Sequence, residues 1–382
     1  MTGTGGFLAG SDLSPNSLER ARLRLEGRYI DLTSSNPTRN GQLFPADILA
    51  AAAAGYWPNR RYTPDPRGHL PAREAIAAYY VSRSAKSCLS ATSTFLAAST
   101  SEAYSLLFTL LAAPGDNLLA PRVSYPLFEL LADMRGIALR PYDLIESSGW
   151  AIDEDSLLDQ VDARTRGILI VAPHNPTGMI VERALPALTQ LGLPVICDEV
   201  FAEFAYAKGR APVFSALHPE LPVFVLNGIS KMFALPDLKL GWIGLNPAAE
   251  AIYGQRLEVL NDTFLGASGL IQSMVPALFG QGLAFTEAMT AAVRDNLDFA
   301  LEALSESPRL RARAPAGGYY LFPSVFGCND EEALVLDLLE AGVLVHPGYF
   351  YGADAGCHLM ISCLTERSVL AEGLDRLVRA LK

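Results

Sequence analysis

Between residues 94 and 245 the chain sets seven short apolar runs in order: "TFLAAS", "DNLLAP", "IALRPYD", "GILIVAP", "LPVICDEV", "PVFVLNGI" and "GWIGL". Among them, residues 102–112, 126–135 and 182–191 space their apolar side chains as covering helices do. A strand buried on both faces reads as a continuous apolar run, because neither face meets water; several of the seven are of this kind. Strands alternating with helices make βαβ units. The expected fold class is therefore α/β, with a large domain built on a mainly parallel, doubly wound sheet. In such sheets ligands bind at the carboxyl ends of the strands.

From residue 247 to about 306 apolar residues recur at spacings of three and four, so a long helical stretch leads away from the sheet. Beyond it lie "GGYYLFPSV", a helix over "DEEALVLDLLEAG", then "VLVHPG", "CHLMISCL" and a last helix running to Lys382, which together describe a small α+β unit. A chain of 382 residues exceeds the ~250–300 residues over which one core keeps growing. The expected division is residues 1–45 and 286–382 in a small domain contributed by both termini, and 46–285 in the large one.

Composition narrows the function. Half the residues are hydrophobic and 19% are charged, which suits a compact chain. The net charge of −11 and the lack of any basic cluster exclude a nucleic-acid partner, since displacing counterions from a polyanion takes grouped Lys and Arg. The opening "MTGTGGFLAGSD" has neither the basic nor the apolar part of a leader, and no run approaches the ~18 apolar residues of a membrane span. A cytoplasmic protein with no membrane partner is expected. Five cysteines, an odd number without a CxxC pair, fit reduced and mostly buried thiols better than a disulfide framework. Five histidines without metal-ligand spacing predict no protein-built metal site. An organic cofactor or plain side chains must then carry any chemistry.

Four motifs sit at predicted strand ends. "GILIVAPHNPTG" runs a strand into a loop whose two prolines either aim the Asn175 amide or simply mark a turn. "LPVICDEVFAEF" ends a core strand in Asp198 and Glu199. A carboxylate there is costly unless it caps a turn or meets a cation. "PVFVLNGISK" delivers Lys231 just past a strand, where a solvent-facing lysine is the plain alternative. "AASTSEAY" opens a helix after small hydroxyl residues, which makes either an ordinary cap or an anion nest. Taken together, an Asn, an Asp, a Lys and an anion nest at neighbouring strand tips match the needs of pyridoxal phosphate. That cofactor takes an amine for a Schiff base, a carboxylate for its ring nitrogen, a donor to its phenolic oxygen and a phosphate cradle.

The ordered series "SSNPT", "YTPDPRGHLPAREAIA", "STSEAYSLLFTLLAAPGDNLLAP", "VSYPLFE", "PHNPTG", "CDEVFAEF", "SKMFALPDLKLGW" and "GVLVHPG" resembles the class I and II aminotransferases, fold-type I pyridoxal-phosphate enzymes, over nearly the whole chain. The resemblance implies pyridoxal 5'-phosphate as cofactor. Lys231 would form the Schiff base and shuttle the proton, and Asp198 would pair with the ring nitrogen. It further implies that Asn175 donates to the phenolic oxygen and that Tyr125 stacks on the ring. Thr100, Ser101, Ser230 and Lys239 would hold the phosphate. Tyr62, six residues before Gly68, would reach the phosphate of a neighbouring subunit, which implies a homodimer with shared active sites.

The chain departs from that pattern at four places. Phe201 stands where a tyrosine would supply a second donor to the phenolic oxygen, and Gly228 where a serine often meets the phosphate. Lys239 replaces an arginine, which loses a bidentate grip. Met360 stands where an arginine often clamps the substrate carboxylate. Asn36 and Arg39 are then the candidate substrate-binding residues, with Arg67 and Arg122 behind them. The expected function is ping-pong transfer of an amino group from an amino acid or related amine to a 2-oxo acid. A lyase or decarboxylase on the same scaffold stays open, as does a non-catalytic cofactor-binding regulator.

Overall fold

Each of the seven apolar runs forms a strand in the computed structural model, which describes residues 7, 8, 10–147, 149–206 and 211–382. They are β1 (Thr94–Ala97), β2 (Asn117–Pro121), β3 (Ala138–Tyr142), β4 (Thr165–Val171), β5 (Val195–Asp198), β6 (Val223–Gly228) and β7 (Gly241–Leu245). They make one sheet in the order β1-β7-β6-β5-β4-β2-β3. Only β7 runs against its neighbours; β3, β2, β4, β5 and β6 pair in parallel.

Alternation along these strands divides the interior into two cores, because successive side chains leave opposite faces. Phe95, Leu169, Ile196, Phe224 and Ile243 pack with Leu107 and Phe108 of the helix Thr100–Leu111 and with Leu257 of the helix Pro247–Thr263. Leu96, Ile168, Cys197, Val225 and Trp242 face the other way, toward Ile76 and Tyr80 of the helix Leu70–Arg83 and Met274 of the helix Gly269–Gln281. Burying such side chains contributes about 1.5–3 kcal/mol each, which explains why continuous apolar runs were needed. The sheet is therefore covered on both faces, as a doubly wound α/β fold requires.

One covering helix starts later than its periodicity predicts. Helix begins at Pro186 and ends at Leu191, because a residue before proline avoids helical backbone while proline itself is tolerated in the first turn. The amide N–H of Leu185 is taken instead by His218 Nε2 at 3.1 Å. The helical stretch after residue 247 is broken into Pro247–Thr263, Gly269–Gln281 and Leu283–Leu304. Gly266 supplies the left-handed backbone of the first break, at φ 72°.

The C-terminal region builds a second core from the helices Leu283–Leu304, Glu331–Glu340 and Arg367–Ala380 around short antiparallel strands that pair with Cys357–Ser362. The N-terminal segment enters this core: Ile30–Asp31 pairs in parallel with Val343–Leu344, and Leu18 and Leu32 pack with Leu297, Ile361 and Leu374. The first six residues of the predicted 1–45 segment lie outside the described residues.

The cysteines correct one expectation. Cys328 and Cys357 are joined in a disulfide, with Cα atoms 6.1 Å apart, while Cys88, Cys197 and Cys363 are free. Cys357 lies opposite Val325 in an antiparallel pair, and Cys328 follows shortly after Val325, so sheet pairing brings together thiols 29 residues apart. Counting and local spacing carry no trace of that proximity.

Candidate active site

A cavity of about 310 Å³ opens where the parallel strands end. Thr100 and Ser101 enter it after β1, Tyr125 after β2, Asn175 after β4, Asp198 at the end of β5, Ser230 and Lys231 after β6, and Lys239 just before β7. The register explains the convergence: Val171 pairs with Asp198, Asp198 with Leu226, and Gly241 with both Gly228 and Ala97, so these tips lie along one edge. Eight residues expected from sequence thus line one cavity.

Asp198 follows Ile196 by two positions and so leaves the sheet on the side of the helix Thr100–Leu111. There the Tyr104 hydroxyl donates to Oδ2 at 2.7 Å, and the Val200 N–H donates to Oδ1 at 2.9 Å. Only 5% of the residue is exposed. Burial pushes the carboxyl up to about 6, against the pull of the Tyr104 and Val200 donors, with Glu199 raising it further and Lys231 lowering it.

Lys231 stands in a single helical turn, Ile229–Met232. Its Nζ donates to the Ser35 carbonyl at 3.4 Å and lies 5.7 Å and 6.0 Å from the ring centres of Tyr319 and Phe201. Asn175 follows the cis Ala172–Pro173 bond and forms a second cis bond with Pro176. Its side-chain oxygen is buried with no hydrogen-bond partner among the described residues.

At the other end, Ser99 caps the helix Thr100–Leu111 by accepting from the Glu102 N–H at 3.1 Å, and Glu102 in turn accepts from the Ala98 N–H. Ser99 Oγ and its carbonyl accept from the N–H groups of Glu102 and Ala103, and among the described residues no hydrogen bond is made by those of Thr100 and Ser101. Gly241 presses against this turn, since a Cβ there would lie 2.9 Å from the Thr100 nitrogen. A Cβ on Gly228 would lie 2.8 Å from the Leu240 carbonyl oxygen, so the absence of a serine at 228 follows from backbone packing. Lys239, exposed, holds left-handed backbone at φ 53°, which costs a non-glycine residue about 1–2 kcal/mol.

A model of the family described as aminotransferase class I and II matches residues 28–377. The chain belongs to that family. This aminotransferase is 28% identical to the glutamate-pyruvate aminotransferase of Haemophilus influenzae, across 96% of its own length and 94% of the relative's. It is 26% identical to the tyrosine aminotransferase of Bos taurus, across 68% of this chain and 59% of that one. An Escherichia coli aminotransferase superposes with a TM-score of 0.86 at 25% identity, covering 99% of this chain and 98% of the other. An alanine aminotransferase from Pyrococcus furiosus shares the fold, with a TM-score of 0.86 at 24% identity and 94% of each chain covered.

Three expected residues of this aminotransferase are not among those lining the cavity. Tyr62 is 78% exposed. The Asn36 side chain accepts from the Thr38 and Arg39 N–H groups at 3.1 and 3.3 Å and so organises its own turn, and Arg39 is exposed. Their neighbour Ser35 does line the cavity. Arg67 is held by Glu250 and Glu258, and Arg122 by Asp143. Met360 is buried in the strand Cys357–Ser362 opposite His346.

Sequence reasoning missed Tyr104 and Tyr320. Tyr104 lies four residues after Thr100, on the same helix face, so the helical period carried a usable signal. Tyr320 comes from the distant "GGYYLFPSV" segment and meets Phe201 edge-on at 5.9 Å, bringing a hydroxyl to the wall where Phe201 has none. Nothing local marks it.

Proposed function

We propose that this aminotransferase binds pyridoxal 5'-phosphate and moves an amino group from an amino acid or related amine to a 2-oxo acid in two ping-pong half-reactions. The observation that carries the reading is the sharing of one cavity by the Lys231 amine, the buried Asp198 carboxylate and the Asn175 amide, next to Thr100 and Ser101 at the start of the helix Thr100–Leu111. The residues present fit the cofactor. Gly228 and Gly241 let backbone approach the phosphate end, and the donor set matches ring and phosphate in turn.

When bound, pyridoxal phosphate supplies an aldehyde that condenses with amines and a protonated ring that accepts the electron pair of a broken Cα–H bond. Lys231 holds the aldehyde end through Nζ. With the cofactor in place, its amine would be the base that takes a proton at the substrate carbon and returns it. Asp198, as a carboxylate, keeps the ring nitrogen protonated. Asn175 would donate to the ring oxygen and Tyr125 would pack on the ring. Thr100, Ser101, Ser230 and Lys239 hold the phosphate, Lys239 as a point charge. Asn36 and Arg39 receive the substrate beside Ser35.

The same reading makes the protein a cytoplasmic homodimer in which Tyr62 reaches the neighbouring subunit's phosphate. Trp57 and Tyr62, 55% and 78% exposed on one segment, are the kind of surface a second copy covers. Among the described residues no helix is long and apolar enough to cross a membrane. The division into 1–45 with 286–382 and 46–285 also belongs to this proposal. It is supported by the pairing of Ile30–Asp31 with Val343–Leu344.

The test is a donor screen followed by cofactor absorbance. Donors that convert the bound cofactor to a stable amine form, reversed by 2-oxo acids, support transamination. Release of ammonia and an oxo acid without that form would replace it with elimination.

A further inference from the structure

We propose that Tyr104 is a positioning residue that holds Asp198 in its carboxylate form and aims it into the cavity through one hydrogen bond. The inference rests on the reading of Asp198 as partner of the ring nitrogen. A carboxylate there must be charged, yet it sits in a place that opposes charge.

Two neighbouring elements create the contact. β5 turns Asp198 toward the helix Thr100–Leu111, and Tyr104, one helical turn beyond Thr100, directs its hydroxyl at Oδ2 from 2.7 Å. Both residues are buried, at 2% and 5% exposure. The Tyr104 ring also packs on Phe128 and Phe108, with ring centres 4.9 and 5.8 Å away. Phenylalanine would fill that space equally well. The hydroxyl is what packing leaves unexplained, and Asp198 is the partner it has.

The direction of the bond decides its effect. Burial holds the Tyr104 phenol far above its usual titration range, so it remains the donor. A donor to a buried carboxylate favours the ionised form, and charge-assisted bonds of this type are about twice as strong as neutral ones. The other groups around Asp198 do not replace it. Glu199, next in the chain, opposes its charge, with Arg83 behind Glu199. Lys231 faces it from beyond β6 and favours its charge, Tyr125 lines the same cavity, and Val200 N–H serves the other oxygen. On the proposed chemistry Lys231 is occupied by the cofactor, which leaves Tyr104 as the fixed side-chain donor.

The experiment follows Asp198 in the cofactor-free protein by infrared difference spectra against Asp198→Asn. Three proteins are compared: the native chain, Tyr104→Phe, and a chain carrying 3-fluorotyrosine at position 104, a stronger donor of the same shape that protects against a folding failure of the Phe variant. The expected midpoint is about 6 in the native chain. It should move up by about one pH unit in Tyr104→Phe and down with fluorotyrosine. Affinity for pyridoxal 5'-phosphate, read by intrinsic fluorescence, should fall with acid at a correspondingly higher pH in Tyr104→Phe while matching the native chain in alkali. One midpoint common to all three proteins, or an affinity loss equal at every pH, would overturn the proposal. Shifted midpoints in a protein that binds no pyridoxal phosphate would uphold Tyr104 and remove the cofactor reading instead.

Discussion

Arg83 and Glu199 form an ion pair with neither side chain exposed, one residue beyond Asp198. The strand sends these adjacent carboxylates to opposite faces, Asp198 to the cavity and Glu199 to the end of the helix Leu70–Arg83. Glu199 also accepts from the Phe214 N–H at 2.8 Å, while Arg83 donates to the Ala211 carbonyl at 3.0 Å. The pair thus ties the base of the site to two other segments. Arg83→Met should destabilise the cofactor-free protein by about 3–5 kcal/mol, because it strands a buried charge. Arg83→Met with Glu199→Gln should cost less than Arg83→Met alone. Urea unfolding of both variants measures this, and equal losses would show that the charge pairing is not the cause.

Lys231→Ala should remove the visible absorbance of the loaded protein, even at saturating pyridoxal phosphate, with thermal stability of the cofactor-free protein unchanged within about 0.5 kcal/mol. The substitution touches a partly exposed side chain whose one hydrogen bond among the described residues is the 3.4 Å contact to Ser35. An intact visible spectrum would refute its assignment.

Gly241→Ala should weaken cofactor binding at least about tenfold, since a Cβ 2.9 Å from the Thr100 nitrogen must push the helix start away from the phosphate end. Equilibrium dialysis gives the affinity. A variant that binds as the native chain does would show that the first turn of that helix is not the phosphate site.

Lys239→Gly should separate backbone from charge. Relief of the left-handed strain at φ 53° and the added chain entropy of glycine nearly cancel, so stability should change by less than about 1 kcal/mol. Affinity for pyridoxal phosphate should nonetheless fall about tenfold, and more at low ionic strength than at high. Loss of affinity without salt dependence would point to loop disorder instead.

The buried His174 supplies a pH signature. Burial lowers it from 6.5 to about 4, so the unfolded chain takes up its proton first, and stability is lost as pH falls from 6.5 to 4. Asp198, raised from 3.8 to about 6, works the other way and favours the fold as pH falls across that range. His174→Gln should therefore flatten the acid loss of melting temperature in the cofactor-free protein. An unchanged slope would show that His174 does not titrate as its burial requires.

Much of the site was legible because its parts are local. Asp198, Asn175 and Lys231 each follow their own apolar strand within a few residues, and parallel pairing carries consecutive strand tips to one edge. What was not legible depends on contacts between distant segments. Tyr320 reaches the wall beside Phe201 from more than a hundred residues away, and Ser35 meets Lys231 across 196 positions. The disulfide of Cys328 with Cys357 went against the expectation from cysteine count, because antiparallel pairing, not spacing, joined them.

By itself, then, the sequence determined the strand runs, their burial and which polar residues stand at or just past each strand end, since hydrophobic period and chain adjacency are written in order along it. Only the tertiary structure decided which neighbours those residues keep. Whether Asp198 meets a phenol and Glu199 a guanidinium depends on which helix covers each face of the sheet, and that is settled by packing the whole chain at once.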